Sequence, residues 1–510
     1  MTETKRVSVL VLMIFILAFG LRFFKLWIGY PFADDHARDV RIVREHLEEM
    51  KPFSIGPKAS VDEIYVQPLY YYLLSIPIAL GGGDPFWGSF MIVVLDSLAI
   101  FLVFALVRGL AGTHAGLVSS VLYALSPFFV MYGSFDWSPN LVSISSILAL
   151  LMSWKYLYEH DDPAAVWASL AGTAALHMHF QGGVVLMMVM VTGLMGLLFQ
   201  RRSFFPWMLS AVLFVLSFAP SFLLSQGREN FIEVWKYFTQ EQTAFYQTTR
   251  TLQFLWNSIP RSFELSFGWP TEGYDLGRML LIVSLTMAFL FGLKEWIRDV
   301  LNKNWFRIPQ TWWLLGMYAI SVIGLRIYKG DKLDYYLLFM ASFPLILLGM
   351  MNLWHWWGRL VLVLLAVLIS FHMGIRSPYS SILGRTMQEI ELSRDPKAFT
   401  NLIAVTEQEF PGVPLGGILY DFYAEPIRYI WNWRYAGVAQ ASQNAPELLV
   451  VCSIDQRCSE PFSHRDCGEQ CAGERLIELF PSYFPERSLR MDGGKRIEVV
   501  KFIRQESDDW

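Results

Sequence analysis

The stretch RVSVLVLMIFILAFGLRFFKLWIGYPFADDHARDV, residues 6–40, places a dense cluster of charge directly after an apolar run. The apolar part, 7–27, is long enough to cross a bilayer, since about 20 helical residues span the hydrocarbon. Two carboxylates, a histidine, an arginine and a third carboxylate then follow within residues 34–39. The start is basic, as in a signal peptide, but no small-residue cleavage site follows the long apolar core. We therefore expect a retained first span.

Composition extends this pattern along most of the chain. The 510 residues are 54% hydrophobic and only 17% charged, whereas soluble domains are about 25% charged. Apolar blocks of roughly 18–22 residues recur as far as residue 375, which predicts an α-helical polytopic membrane protein of about eleven spans. The predicted spans are 7–27, 86–108, 114–132, 141–158, 164–180, 182–200, 204–225, 278–294, 310–327, 334–353 and 359–375.

The basic residues between the spans predict the topology. With the N-terminus inside, nearly all the short connections on the inner side carry Lys or Arg, as the positive-inside rule requires. These connections are 108–112, 155–162, 201–202, 294–307 and 355–359. The net charge of −4 and the absence of a long basic run argue against a nucleic-acid partner.

This topology divides the chain into two predicted domains, a transmembrane domain at 1–375 and an extracytoplasmic domain at 376–510. The transmembrane domain has two large external loops, 28–85 and 226–277. In the tail, the runs PELLVVCS and GKRIEVVKFI are typical of strands, and 395–410 is typical of a helix. We therefore predict a soluble α+β tail.

All four cysteines lie in that tail. Their spacings fit two disulfides or a zinc knot, and no C-x-x-C pair supports zinc, so disulfides are favoured. Sequence does not separate the three pairings. Disulfides indicate an oxidising compartment, which agrees with the external placement that the basic connections predict. The cysteines are Cys452, Cys458, Cys467 and Cys471.

Two helices are predicted in the first external loop. Ala37, Val40, Val43, Leu47 and Met50 recur at helical spacing, which is typical of an amphipathic helix at a membrane surface. A second apolar piece, YVQPLYYYLLSIPIALGGGDPF, is interrupted by proline. Counting it as a span would reverse every later connection, so we interpret it as a second interfacial helix.

The charge at the start of the first helix has two simple interpretations. Asp34 or Asp35 can cap the helix and favour its positive N-terminal end. Alternatively, Asp35, His36 and Asp39 offer ligands for a divalent cation such as Mg²⁺ or Mn²⁺. Nothing else in the loop completes a metal site, so no metal ligands are assigned.

The order of the motifs resembles the GT-C superfamily of membrane glycosyltransferases. It is most similar to the branch with protein O-mannosyltransferase-like and lipid A aminoarabinose-transferase-like enzymes. Two later landmarks fit the same branch, LSPFFVMYGSFDWSPNLV (125–142) and DYYLLFMASFPLILL (334–348). The residues that carry the resemblance are Asp35, Ala37, Arg38 and Asp39, followed by Pro68, Leu69, Tyr70 and Tyr71.

The resemblance implies an enzyme that moves a hexose or pentose from a polyprenyl-phosphate donor to a glycan, lipid or protein acceptor. Transfer would occur on the outer face of the cytoplasmic (inner) cell membrane, with inversion at the anomeric carbon. The catalytic base of the family falls on Asp35. Asp34 is the second candidate, because His36 stands where some relatives carry an acid. Val66 stands where lipid A-modifying relatives have a lysine, which argues against that acceptor.

Further site residues follow from the same implied reaction. Arg326, Lys329 and Lys332 are candidates to bind the donor phosphate, although residues at a span end also snorkel to the interface. Arg38 can pair with Asp35 or face the phosphate. The candidates for the substrate cavity are His36, Tyr70, Tyr71, His179, Tyr335 and Tyr336.

The alternative function is a membrane transporter or flippase of lipid-linked substrates. That class requires intramembrane charge and paired broken helices around a midplane site. Asp96 is the only obvious carboxylate deep in a predicted span, and no repeated pair of interrupted helices is evident. The glycosyltransferase interpretation is therefore preferred.

Overall fold

The computed structural model describes most of the predicted transmembrane domain and the strands of the tail. The described residues are 2–28, 34–59, 64–200, 202–237, 274–302, 308–327, 337–351, 404–406, 408–411, 413, 415–419, 447–454, 483–491 and 496–504.

By its internal contacts the chain divides into two compact units. The helical unit comprises Met1–Leu26, Glu49–Leu80 and Phe86–Ser380. The sheet unit comprises Trp27–Glu48, Gly81–Pro85 and Ser381–Trp510. The predicted domain boundary at 375 lies outside the described residues and stays a prediction.

Helices account for most of the described residues before the tail. The first nine are α1 (Glu3–Ile28), α2 (Asp34–Glu49), α3 (Leu69–Leu80), α4 (Pro85–Ala111), α5 (Thr113–Leu125), α6 (Pro127–Tyr132), α7 (Asn140–Trp154), α8 (Asp162–Met178) and α9 (Gly182–Gln200). A π-helical turn, Lys155–Glu159, continues α7. The later helices are α10 (Phe205–Ser217), α11 (Ala219–Leu223), α12 (Ser225–Lys236), α13 (Tyr274–Leu301), α14 (Gln310–Ile327) and α15 (Ser342–Met351).

These helices confirm a multi-pass membrane protein. Among the described residues, four helical segments are long and apolar enough to cross a membrane on their own: Glu3–Trp27, Pro85–Ala111, Asn140–Glu159 and Gly182–Gln200. Shorter or less apolar helices cover, wholly or partly, the other predicted spans as far as 334–353. The eleventh predicted span, 359–375, lies outside the described residues, so the total of eleven stays a prediction.

Several predicted spans are not continuous helices. Span 114–132 is broken at Ser126, whose backbone is extended, and a new helix starts at Pro127. The physical reason is that proline disfavours helical backbone in the residue before it. Within span 334–353, the described residues 337–341 form turns and the helix begins at Ser342. These turn residues are buried in protein, which is where non-helical backbone is tolerated in a membrane protein.

Helix α3, like α5 and α10, is one of the shorter apolar helices. Its 12 residues, Leu69–Leu80, extend roughly 18 Å at 1.5 Å per residue, well below the roughly 30 Å of hydrocarbon. It contains Pro77 and contacts α8. Its placement at the membrane interface stays a prediction.

Several connections meet at one end of the helical unit. Arg202 donates to Asp162 at 3.5 Å, and Tyr158 donates to the Ile308 carbonyl at 3.1 Å. These contacts join 155–162, 201–202 and the residues that follow 294–307. The predicted topology places all three on one side of the membrane, and the structure brings them together.

A buried ion pair lies inside the helical unit. Arg22 of α1 is 0% exposed and Asp96 of α4 is 5% exposed. Arg22 Nε donates to Asp96 Oδ2 at 2.5 Å. The other carboxylate oxygen accepts a bond from the Tyr123 hydroxyl of α5 at 2.7 Å. The pair therefore links three helices that are far apart in sequence.

The surroundings of Arg22 reinforce this link. Arg22 Nη1 donates to the carbonyls of Ala18 and Ala124, at 3.2 and 3.4 Å. The guanidinium lies 5.5 Å from the ring centre of Tyr123. A side chain at Gly133 would approach both Asp96 Oδ2 (2.6 Å) and Arg22 Nε (2.9 Å). Position 133 therefore requires glycine, because the ion pair leaves no space for a side chain.

In the sheet unit, the described residues form a four-stranded sheet with the order β1-β2-β4-β3. The first pair is parallel and the other two pairs are antiparallel. Val450 is paired with Val500 in the middle of β2 and β4, and these strands cover the two strand-like runs of the tail. The strands are β1 (Leu415–Leu419), β2 (Glu447–Ile454), β3 (Tyr483–Met491) and β4 (Arg496–Arg504). Residues 404–406 and 408–409, within the predicted helix 395–410, are helical.

The buried pair predicts an unusual order of stabilities. Arg22→Met leaves Asp96 charged in an apolar interior and should lower the free energy of unfolding by about 3–5 kcal/mol. Arg22→Met/Asp96→Asn removes both charges, while the new amide oxygen still accepts from Tyr123, so the double variant should be more stable than Arg22→Met alone. Thermal unfolding in detergent measures both.

The matched control is Arg44→Gln, which breaks the exposed pair with Glu48 on α2. Exposed pairs contribute about 0–1 kcal/mol, so this variant should unfold close to wild type. A double variant less stable than Arg22→Met would contradict the prediction.

Candidate functional site

The charged stretch that follows the first span forms α2, where one arginine bonds two carboxylates. Arg38 Nη1 donates to Asp35 Oδ1 at 2.8 Å. Arg38 Nε and Nη2 donate to Asp39 Oδ1 at 3.0 and 2.9 Å. Of the two roles that the sequence left open for Arg38, the structure shows the pairing with Asp35. Helical residues three apart are neighbours on the surface, which brings the two side chains together.

The two carboxylates differ in exposure. The Asp35 side chain is 51% exposed and the Asp39 side chain is 3% exposed. His36, a predicted cavity residue, is also buried. Asp35 is thus the carboxylate of this pair that an external substrate can reach.

Asp35 lies in the first turn of α2, which begins at Asp34. The positive end of a helix favours a carboxylate in this position. The side chain of Asp34 lies outside the described residues, so its role as second candidate base stays a prediction.

The apolar stripe of α2 is covered by protein rather than by lipid in its first three positions. Ala37, Val40 and Val43 are fully buried, whereas Leu47 and Met50 are exposed. On the exposed face, ion pairs join residues four apart, Arg41 with Glu45 at 3.0 Å and Arg44 with Glu48 at 2.7 Å. Such a charged face is suited to water.

The predicted cavity tyrosines lie at the start of α3, where both are buried. Tyr71 lies 5.5 Å from the ring of Phe53. Next to them, the Tyr72 hydroxyl accepts from the Phe53 amide at 3.1 Å and donates to its carbonyl at 3.0 Å. Tyr70 and Tyr71 therefore pack inside the protein, and Tyr72 holds the loop to α3.

A group of polar side chains, which we name the polar seam, joins the first loop to α11 and α12. Asn230 of α12 accepts from the Tyr65 amide and donates to the Tyr65 carbonyl, both at 2.9 Å. Ser221 of α11 donates to the Ser54 carbonyl at 3.0 Å and also to Gln67. The seam comprises Ser54, Tyr65, Gln67, Ser221 and Asn230.

Sequence reasoning did not identify the polar seam. Asn230 lies 165 residues from Tyr65, so no local spacing connects them. The only available signal is that each is polar between apolar segments. The seam joins the middle of the first predicted external loop to residues around the start of the second, and the predicted topology places both loops on the same side.

The landmark motif at 125–142 contains a buried carboxylate, Asp136. Ser89 of α4 donates to Asp136 Oδ1 at 2.7 Å, and the Asp136 amide donates back to the Ser89 hydroxyl at 3.1 Å. Asn140 donates to the Phe135 carbonyl at 2.9 Å. Asp136 thus holds the turn to α4.

The two histidines of ALHMHFQGG contact different partners. His177 Nε2 lies 3.1 Å from the Ser217 hydroxyl, and the ring packs against Phe218. His179, the predicted cavity residue, follows the end of α8 in extended backbone and accepts from the Gln181 amide at 3.3 Å. The two rings therefore face different surroundings.

The remaining candidates lie wholly or partly outside the described residues. For Arg326 only the backbone is described, at the end of α14, and for Cys452 only the backbone, in β2. Among the described residues, no three His, Cys, Asp or Glu side chains are placed to hold a metal ion. The predicted residues that lie wholly outside are Lys329, Lys332, Tyr335, Tyr336, Cys458, Cys467 and Cys471.

The sequence of the helical unit matches a known family. Residues 66–223 match the family described as dolichyl-phosphate-mannose-protein mannosyltransferase. The match covers less than half of the chain; it includes α3 to α11 and begins after α2. No curated protein matches the chain in sequence.

Solved structures are similar in fold. The oligosaccharyltransferase of Archaeoglobus fulgidus in complex with Zn and sulfate is 13% identical, with a TM-score of 0.50 over 95% of this chain and 72% of that chain. AglB of the same organism, with an inhibitory peptide and a dolichol-phosphate, is 12% identical, with a TM-score of 0.49 over 99% and 75%. ArnT from Cupriavidus metallidurans, bound to undecaprenyl phosphate, is 13% identical, with a TM-score of 0.45 over 98% of both chains.

At sequence identities this low, structural similarity is evidence for the fold alone. Of the three structures, only the first has a TM-score high enough to support a shared fold. The family match and that fold confirm the predicted resemblance to the GT-C glycosyltransferases. The family match also supports transferase activity at the level of class.

The polar seam makes a prediction that trypsin can test. Asn230→Asp keeps an acceptor for the Tyr65 amide but loses the donor to the Tyr65 carbonyl. An unsatisfied buried polar group costs about 1–3 kcal/mol, so the loop should open more often. Trypsin cleavage after Lys58 should become roughly tenfold faster. The control is Glu229→Gln, an exposed neighbour on the same helix, and equal cleavage of both variants would contradict the prediction.

Proposed function

We propose that this chain, a multi-pass membrane protein of GT-C type, transfers a sugar from a polyprenyl-phosphate donor to an acceptor. Transfer takes place on the extracytoplasmic face of the cytoplasmic (inner) cell membrane, where the first external loop and the tail are predicted to lie. The sugar is a hexose or pentose, and the acceptor is a glycan, lipid or protein.

The observation that carries this proposal is the geometry at Asp35. Its carboxylate is half-exposed, it stands in the first turn of α2, and Arg38 holds it at 2.8 Å. The D-H-A-R-D pattern thus presents a carboxylate that is accessible and ion-paired, which supports its assignment as the base. The donor class is supported by the family match, whose description names a dolichyl-phosphate sugar.

Asp35 has the role of general base. An acceptor hydroxyl is a weak nucleophile, and the carboxylate takes its proton as the oxygen attacks the anomeric carbon. The bond from that carbon to the lipid phosphate breaks, and the phosphate leaves with the electron pair. Because the phosphate occupies one face of the sugar, attack comes from the other face and inverts the configuration.

Negative charge develops on the leaving phosphate, and nearby cations stabilise it. Arg326, Lys329 and Lys332 are proposed for this role from their position in a single short connection. The base role of Asp35 needs no divalent cation, and a dependence on Mg²⁺ or Mn²⁺ is read out by adding EDTA to the transfer assay.

The transporter or flippase alternative depends on intramembrane charge. The deep carboxylate that it would use, Asp96, is bonded to Arg22 and Tyr123. Both bonds connect helices of the helical unit, so a structural role accounts for this carboxylate.

The test is sugar transfer from a panel of radiolabelled polyprenyl-phosphate sugars in detergent or membranes. Asp35→Asn should lower the rate at least roughly 100-fold, because general base catalysis contributes about 10²–10⁴. Asp34→Asn, the neighbouring carboxylate, is the matched control and should keep most of the activity.

Thermal unfolding confirms that both variants fold like wild type. Transfer by wild type that survives in Asp35→Asn would overturn the assignment of the base. Transfer lost only in Asp34→Asn would move the role to that residue.

A further inference from the structure

The guanidinium of Arg38 bonds its two carboxylate partners with different nitrogens. Nε and Nη2 both bond one oxygen of Asp39, at 3.0 and 2.9 Å, whereas Nη1 bonds Asp35, at 2.8 Å. Two bonds on neighbouring nitrogens fix the plane of the guanidinium, which a single bond does not. The orientation of Arg38 is therefore set on the Asp39 side.

The burial of the three side chains falls in the order Asp39, Arg38, Asp35. The exposed fraction of the side chain rises from 3% at Asp39 to 21% at Arg38 and 51% at Asp35. A buried charged pair is held more firmly than an exposed one, because water competes less for its bonds. Asp39 is thus the firmly held member of the three, and Asp35 is the accessible one.

The position of Asp39 in the helix explains why it is the anchor. It lies beside Val40 and four residues before Val43, and both valines are fully buried. Asp39 therefore belongs to the buried face of α2. Asp35, one turn earlier, has no comparable burial and receives its orientation through Arg38.

We propose that Asp39 is a positioning residue, which fixes Arg38 and through it orients the Asp35 carboxylate for proton abstraction. This rests on the proposed function, in which Asp35 is the base. Rates depend steeply on such alignment, since a displacement of about 1 Å can cost roughly 100-fold. Asp39 itself is too buried to touch a substrate, so it acts on the reaction through Arg38.

The deciding experiment measures kcat and KM for sugar transfer in the full chain. Asp39→Asn keeps the size of the side chain but removes its charge, so Arg38 should turn away and kcat should fall roughly 10- to 100-fold. KM for the donor should stay within about twofold, because Asp35 does not bind the donor. Were Arg38 to serve the donor phosphate instead, its disturbance would raise KM.

The matched control is Glu45→Gln, which breaks an ion pair on the same helix, with Arg41 at 3.0 Å. This variant should transfer sugar like wild type. If Asp39→Asn behaves like Glu45→Gln, the proposal is overturned while the proposed function stands. If wild type transfers no sugar from any donor, the proposed function fails first.

A double variant distinguishes positioning from general loss of structure. In Asp35→Asn the base is already absent, so a second substitution that disturbs only its orientation should not lower the rate further. Asp35→Asn/Asp39→Asn should therefore transfer sugar no more slowly than Asp35→Asn. If the rate of the double variant fell by the product of the two single-variant factors, Asp39 would act independently of Asp35 and the proposal would be overturned.

Arg38→Lys carries the test if Asp39→Asn does not fold. A lysine keeps the charge but has one nitrogen, which cannot hold both carboxylates in the same way. The proposal predicts a fall in kcat of the same size, again absent in the Asp35→Asn background. A wild-type kcat in Arg38→Lys would overturn it.

Discussion

The helical unit depends on one neutralised charge pair in an apolar interior. A lone Arg22 or a lone Asp96 would be costly there, and the 2.5 Å bond between them makes both tolerable. Tyr123 then bonds the second oxygen of Asp96, so α1, α4 and α5 are fixed to one another at one place. Apolar packing alone lets helices rotate or slide, whereas this cluster permits a single register. Gly133 is small for the same reason, because the pair leaves no room for a side chain.

Polar contacts also connect the chain segments at the ends of the helices. Where the chain leaves the spans, its backbone groups need partners, and the polar seam supplies them for the first loop through Asn230 and Ser221. At the opposite end, Arg202 joins two connections through Asp162. The helical unit is thus held by hydrogen bonds at both ends and by an ion pair inside.

Helix α2 combines packing and chemistry on adjacent residues. Its buried face includes Asp39, and its first turn presents Asp35 to solvent, with Arg38 between them. A rigid helix positions side chains more accurately than a free loop does. The charge that follows the first span is therefore partly paired within α2, with Arg38 bonded to one exposed and one buried carboxylate.

Hydropathy and spacing by themselves predicted most of the described apolar helices, the helix α2 and, as one of two alternatives, the pairing of Asp35 with Arg38. Each of these is a property of contiguous residues, which periodicity reports directly. Only the tertiary structure decided the partners that lie far apart, such as Arg22 with Asp96, 74 residues on, and Tyr65 with Asn230, 165 residues on. It also decided that Asp39 is buried while Asp35 is exposed, and that the predicted spans at Ser126 and 337–341 are interrupted. Burial and partner choice depend on which helices pack together, and a single sequence does not contain that information in any local pattern.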